Sequence, residues 1–87
     1  MKAVILYKPN SEHDTSVNEY VREFGRETGK TLALVDCDSA QGIEIAGLYD
    51  IVRYPAIVVL KDDGSYIESW LEREKWPTAS ELSFYAQ

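Results

Sequence analysis

The stretch between Tyr54 and Gly64 restricts the fold of this chain more than any other part of its sequence. It contains an apolar run, Ala56–Leu60, which is rich in β-branched residues and bounded by turn-forming residues. Such a run is typical of a central strand that is buried on both faces. Pro55 stands at its start, where it removes no hydrogen bond from the middle of a ladder, and Gly64 can adopt the positive φ of a tight turn. The sequence therefore predicts a β-hairpin entered through a proline, with its return strand over residues 66–71.

Length and composition limit the class of protein. A chain of 87 residues can build one core, so we expect a single domain over residues 1–87. The net charge is −6 and no basic cluster is present, which argues against a nucleic-acid partner, because binding to phosphates requires clustered Lys and Arg. No apolar run is long enough to cross a bilayer, and residues 1–7 are too short for a signal peptide.

One cysteine, Cys37, is present, and it has no partner for a disulfide within the chain. Disulfides are rare in reducing compartments, so a single thiol is compatible with a cytoplasmic location. We therefore expect a cytoplasmic monomer with no membrane association.

The first half of the chain predicts a strand, a helix and a second strand. Residues 3–7 form the first strand, and Ser11 opens a helix that ends near Gly29. Residues 31–37 are apolar on both faces of a second strand. The helix is identified by apolar residues spaced i, i+3, i+4, i+7: Val17, Tyr20, Val21 and Phe24.

The second half predicts two further helices around the hairpin. A helix over about residues 40–49 contains Gly42 and Gly47, each of which costs about 1 kcal/mol relative to alanine. Residues 72–75 are a solvated connection. The order is β-α-β-α-β-β-α, and strands one and two are parallel through a right-handed crossover. The predicted architecture is a mixed four-stranded sheet with helices on both faces.

The last helix has its own start signal. Thr78 and Glu81 are spaced as a capping box, in which side chains satisfy the free N–H groups of the first turn.

The element order and three joints resemble the thioredoxin fold in its compact, glutaredoxin-sized form. Residues 7–14 lie between strand one and helix one, where that family has its Cys-x-x-Cys. Residues 35–38, Val-Asp-Cys-Asp, are similar to the family's strand-two ending of apolar-Asp-x-Asp. Residues 49–64 resemble its Tyr-Gly-Ile-x-x-apolar-Pro-Thr, an apolar strand and a Gly turn. The resemblance covers nearly the whole chain, and it implies an α/β thioredoxin-like fold and a cis Tyr54–Pro55 bond.

The chain departs from that family at the reactive positions. Ser11 takes the place of the attacking cysteine and Asp14 that of the resolving cysteine. The family's chemistry needs a thiolate at the helix N-terminus, and a serine hydroxyl cannot exchange with a disulfide. We therefore expect a redox-inactive domain that has no catalytic residue and no cofactor.

Residues 11–14 have a structural interpretation that competes with any catalytic one. Ser11 as N-cap and Asp14 at N3 would form a capping-box-like arrangement, and Glu12 and Asp14 suit the helix dipole. A nucleophilic pair of Ser11 and His13 has poor geometry, because residues i and i+2 do not face each other on a helix. Glu12, His13 and Asp14 lack a convergent ligand set, so we expect no metal.

Cys37 also has two interpretations. At the end of a central strand it would be a buried, inert thiol, and Asp36 and Asp38 would disfavour a thiolate beside them. The alternative is a lone redox or glutathionylation thiol.

In the thioredoxin fold, the residue before the cis-proline offers backbone groups to an extended peptide or to glutathione. If this chain keeps that groove, its binding residues are Pro9, Asn10, Ser11, His13, Tyr54 and Pro55. The other interpretation is that Pro55 only shapes the turn into strand three.

Two functional hypotheses follow. The first is a redox-inactive binding or accessory module for a protein or extended peptide, and glutathione is a further candidate ligand. The second is a thiol–disulfide oxidoreductase or glutathione-handling protein that uses Cys37 or a cysteine of a partner.

Overall fold

The computed structural model describes residues 2–85. The elements in chain order are β1 (Lys2–Tyr7), α1 (Asp14–Thr28), β2 (Ala33–Asp36), α2 (Ala40–Tyr49), β3 (Ala56–Leu60), β4 (Tyr66–Trp70), a 3₁₀ turn (Arg73–Lys75) and α3 (Ala79–Ser83). The strands form one sheet in the order β2-β1-β3-β4. The β1–β2 pair is parallel, and β1–β3 and β3–β4 are antiparallel. The predicted element order and mixed four-stranded sheet are confirmed.

The core has a layer on each face of the sheet, because successive residues of a strand point to opposite faces. Ile5 and Ile57 pack with Phe24 of α1 and Leu82 of α3. On the other face, α2 covers a second layer: Val4, Leu6, Val58, Leu60 and Ile45. All five residues of β3 are buried, as the apolar run predicts. None of the helices within residues 2–85 combines the length and apolarity that a membrane span requires.

The second strand differs from its prediction. β2 covers four residues, and only Val35 among them is buried. β2 pairs with β1 alone and is therefore an edge strand. The prediction that Cys37 ends a central strand is wrong, although its side chain is buried, with 8% exposed.

The first helix begins two residues later than predicted. α1 starts at Asp14, and its N-cap is His13, which makes no side-chain capping bond. The Ser11 hydroxyl instead donates to the Lys8 carbonyl at 2.7 Å and accepts from the His13 N–H at 3.3 Å. Asn10 has a φ of +62° and belongs to the turn that precedes the helix. The predicted Ser11 capping box is therefore wrong, because this hydroxyl closes a turn instead.

The connection after β4 is also more ordered than predicted. Arg73 lies over the rings of Tyr20, at 5.3 Å, and Trp76, at 4.8 Å, measured from its guanidinium carbon to each ring centroid. Its Nε donates to the Ser16 hydroxyl at 2.8 Å. The predicted solvated connection is therefore a structural joint between the end of the sheet and α1.

The predicted starts of α2 and α3 are confirmed. Thr78 is the N-cap of α3, and its hydroxyl accepts from the Glu81 N–H at 3.2 Å. Ser39 caps α2 in the same way through the Gly42 N–H at 3.0 Å.

Candidate functional site

Three segments meet at one end of the sheet. Tyr7, the last residue of β1, pairs with Asp36, the last residue of β2, and its carbonyl accepts from the Cys37 N–H at 2.9 Å. Leu6 pairs with Ala56, the first residue of β3. The loop after β1, the residues after β2 and the Tyr54–Pro55 step before β3 therefore lie at the same end.

The Tyr54–Pro55 step presents a backbone to solvent. Its peptide bond is cis, Pro55 is buried and Tyr54 is 37% exposed. Among the hydrogen bonds of residues 2–85, none uses the backbone N–H or C=O of Tyr54. An ion pair between Arg53 and Glu72, with 3.1 Å between Nη1 and Oε1, connects the preceding residue to the segment after β4. Tyr54 thus offers one backbone donor and one backbone acceptor. The ion pair of the neighbouring Arg53 anchors this segment.

The loop between β1 and α1 has its polar side chains engaged locally. The Ser11 hydroxyl donates to Lys8 rather than to His13. His13 lies beside Glu12, with 3.5 Å between Nε2 and Oε1. The Asp14 carboxylate accepts from the side-chain amide of Asn18 at 2.9 Å. This loop therefore has no hydrogen bond that would activate the Ser11 hydroxyl as a nucleophile.

The other two predicted loop residues occupy the same turn. Pro9 is half-buried and Asn10 is exposed.

Three charged side chains, Lys8, Asp36 and Asp38, influence the Cys37 thiol. Lys8 forms an ion pair with Asp38, and this contact raises the pKa of the Lys8 ammonium. Burial raises the pKa of the Cys37 thiol, and the Asp38 and Asp36 charges add to the rise, while Lys8 opposes it. Burial, followed by the charges of Cys37 and Asp38, also raises the pKa of Tyr54. The thiol therefore stays protonated at neutral pH.

The ion pair between Lys8 and Asp38 was not predicted from the sequence. A usable signal was present, because both residues closely follow the carboxyl ends of strands predicted to be parallel. Such ends lie at the same edge of a sheet.

The side chains of Asp36, Cys37 and Asp38 offer ligand atoms that lie within 4.8 Å of one another. The carboxylates are already engaged: Asp36 accepts from the Asp38 N–H at 2.8 Å, and Asp38 pairs with Lys8. A metal ion here would have to displace the Lys8 ammonium and deprotonate a buried thiol.

No protein-family model matches the sequence, and neither does any curated protein. Solved structures do match. One is described as the structure of a malarial protein, with a TM-score of 0.62 and 13% identity over 95% of this chain and 89% of that chain. Another contains the first two thioredoxin domains of Saccharomyces cerevisiae Eps1p, with a TM-score of 0.57 and 21% identity over 94% of this chain. The chain spans 33% of that Eps1p structure. With its sheet order and helices on both faces, the protein has a thioredoxin-like fold.

Proposed function

We propose that this chain is a redox-inactive binding module that takes an extended segment of a protein or peptide at the end of the sheet where Tyr54 and Pro55 meet the loop after β1. The observation that carries the proposal is the Tyr54 backbone, whose N–H and C=O have no hydrogen-bond partner within residues 2–85. An extended chain can pair with such groups as an added strand, since main-chain hydrogen bonds supply affinity and side-chain pockets supply specificity.

The chemistry of the neighbouring residues supports binding without disulfide exchange. Ser11 and Asp14 stand where the resemblance implies cysteines, and both make hydrogen bonds within their own loop and helix. Cys37 is buried and its pKa is raised, whereas exchange requires an accessible thiolate.

Backbone amide NMR with two probes tests the binding proposal. The probes are an unbiased pool of short linear peptides, and glutathione added separately. We expect the peptide pool to shift the amide signals of Tyr54, of residue 8 and of residues 10–13. A matched pool with N-methylated backbones should cause much smaller shifts, because it has lost its donors. Equal shifts from both pools, or none near Tyr54, would refute strand addition at this site.

Thiol chemistry separates this function from the oxidoreductase hypothesis. We expect Cys37 to react with a thiol reagent only as fast as the protein opens, and insulin reduction to stay at background. The Ser11→Cys, Asp14→Cys double variant is the positive control, because it returns a Cys-x-x-Cys spacing to the same loop. Rapid labelling of native Cys37 at neutral pH would instead favour the oxidoreductase hypothesis.

A further inference from the structure

Helix α2 exposes apolar side chains on the face that points away from the sheet. Its inner face buries Gly42 and Ile45. Ile43 and Leu48 lie outside this buried face, with 61% and 65% of their surfaces exposed. The part of the chain that the structure describes places no element over this outer face.

Gly47 lies at the centre of that outer face. In a helix of about 3.6 residues per turn, it is roughly half a turn away from the buried Ile45. A Cβ atom built on Gly47 would meet nothing within 4 Å, whereas one on Gly42 would lie 2.1 Å from the Asp36 carbonyl oxygen. Glycine weakens a helix relative to alanine, and no contact within residues 2–85 requires it at position 47. A bare backbone between two exposed apolar side chains permits a close approach from outside.

The negative charge around this face favours a basic partner. Residues 31–52 contain four acidic side chains and no Lys or Arg. Three of the four, Asp36, Glu44 and Asp50, form no ion pair with any residue from 2 to 85. A second copy of this chain would bring the same carboxylates and a net charge of −6 against the first, so like charges disfavour a symmetric dimer here. A partner carrying Lys or Arg is attracted instead.

We propose that the outer face of α2 is a docking surface for a basic, amphipathic helix of another protein. This outer face comprises Ala40, Ile43, Glu44, Gly47 and Leu48. An apolar residue of the partner helix packs over Gly47 between Ile43 and Leu48, in the manner of ridges fitting into grooves. Basic residues beside it pair with Glu44 and Asp50. The surface is separate from Tyr54, so this interaction does not depend on the peptide groove.

The test uses two synthetic helical peptides with the chain of 87 residues. One has Leu on one face and Lys on the other, and the second has Glu in place of each Lys. We expect the Lys peptide to shift the amides of residues 40–52 while the Tyr54 amide stays in place, and the Glu peptide to cause no shift. Shifts confined to other surfaces, or equal effects from both peptides, would overturn the proposal.

Variants separate docking from folding. Gly47→Ala should weaken binding of the Lys peptide about tenfold, because the added methyl group blocks close packing at the centre of the interface. The Tm of the variant should rise. The matched control is Gly25→Ala in α1, where a Cβ would make an ordinary 3.6 Å contact with the Lys30 carbonyl oxygen, and it should leave the Kd unchanged. Glu44→Gln should lower both the affinity and its salt dependence.

Two results would reject the docking surface. One is an unchanged Kd for Gly47→Ala. The other is concentration-dependent dimerisation through α2, measured by sedimentation and abolished by Gly47→Ala, which would assign the face to a second copy of the chain.

Discussion

At the scale of single residues, Gly42 and Gly47 differ in role although they occupy the same helix. Gly42 lies against the end of β2, where a Cβ atom would be 2.1 Å from the Asp36 carbonyl oxygen and 2.9 Å from the Cys37 Cα. Both neighbours are backbone atoms, which cannot move aside as a flexible side chain can. Gly47 has open space around it.

Gly42→Ala should therefore lower the free energy of unfolding by about 1–3 kcal/mol, the usual cost of overpacking. Urea denaturation measures it. Gly47→Ala is the matched control and should raise the free energy of unfolding by up to about 1 kcal/mol through helix propensity. Equal effects of the two substitutions would contradict this placement of α2 against β2.

At the scale of elements, Arg73 joins the segment after β4 to helix α1. Its guanidinium lies over the Tyr20 and Trp76 rings, and its Nε donates to the Ser16 hydroxyl. The Trp76 side chain is buried, and its Nε1 has no hydrogen-bond partner in the described residues. Trp76 is thus held by ring packing, including an edge-to-face contact with Tyr20 at 4.9 Å between centroids.

Arg73→Ala should lower the free energy of unfolding by about 1–2 kcal/mol, because a cation–π contact and a hydrogen bond are lost together. Arg73→Lys should recover only part of this, since an ammonium lacks the planar, stacking fork. Lys75→Ala is the control. Its ammonium is exposed and pairs with Glu72 at 3.3 Å, so its loss should change stability by less than about 0.5 kcal/mol. Comparable losses of unfolding free energy for Arg73→Ala and Lys75→Ala would contradict the proposed role of Arg73 in joining the segment after β4 to α1.

At the scale of the whole molecule, several groups make folding sensitive to alkaline pH. Burial raises the pKa of Tyr20 from 10.0 to about 12, and the Arg73 charge partly opposes the rise. The pKa of Cys37 is also raised above its ordinary value of 9.0, mainly by burial. Each group loses its proton more readily in the unfolded chain than in the folded one. Deprotonation therefore favours unfolding as pH rises.

We expect the free energy of unfolding to be insensitive to these two groups below pH 9 and to fall progressively as pH rises toward 12. Urea denaturation at a series of pH values measures the profile. Tyr20→Phe should flatten the part above pH 10. At neutral pH it should cost about 1 kcal/mol, because the Tyr20 hydroxyl donates to the Pro77 carbonyl at 2.7 Å. An unchanged slope above pH 10 in that variant would exclude Tyr20 as a source.

Elements whose signals are local could be predicted from the amino-acid sequence. The burial of Ala56–Leu60 follows from its run of apolar residues. The start of α3 follows from Thr78 and Glu81, which lie three residues apart and are joined by a hydrogen bond. The position of Tyr54–Pro55 beside the loop after β1 was expected only from the resemblance to the thioredoxin fold.

Tertiary structure alone decided the features that depend on distant neighbours. The sheet order made β2 an edge strand, and packing against β2 distinguished Gly42 from Gly47. The turn that engages Ser11 moved the start of α1 to Asp14. A pattern along the chain records which residues prefer to be buried or to turn. It does not record which distant backbone or charge will lie against them, because that depends on how the sheet and helices assemble.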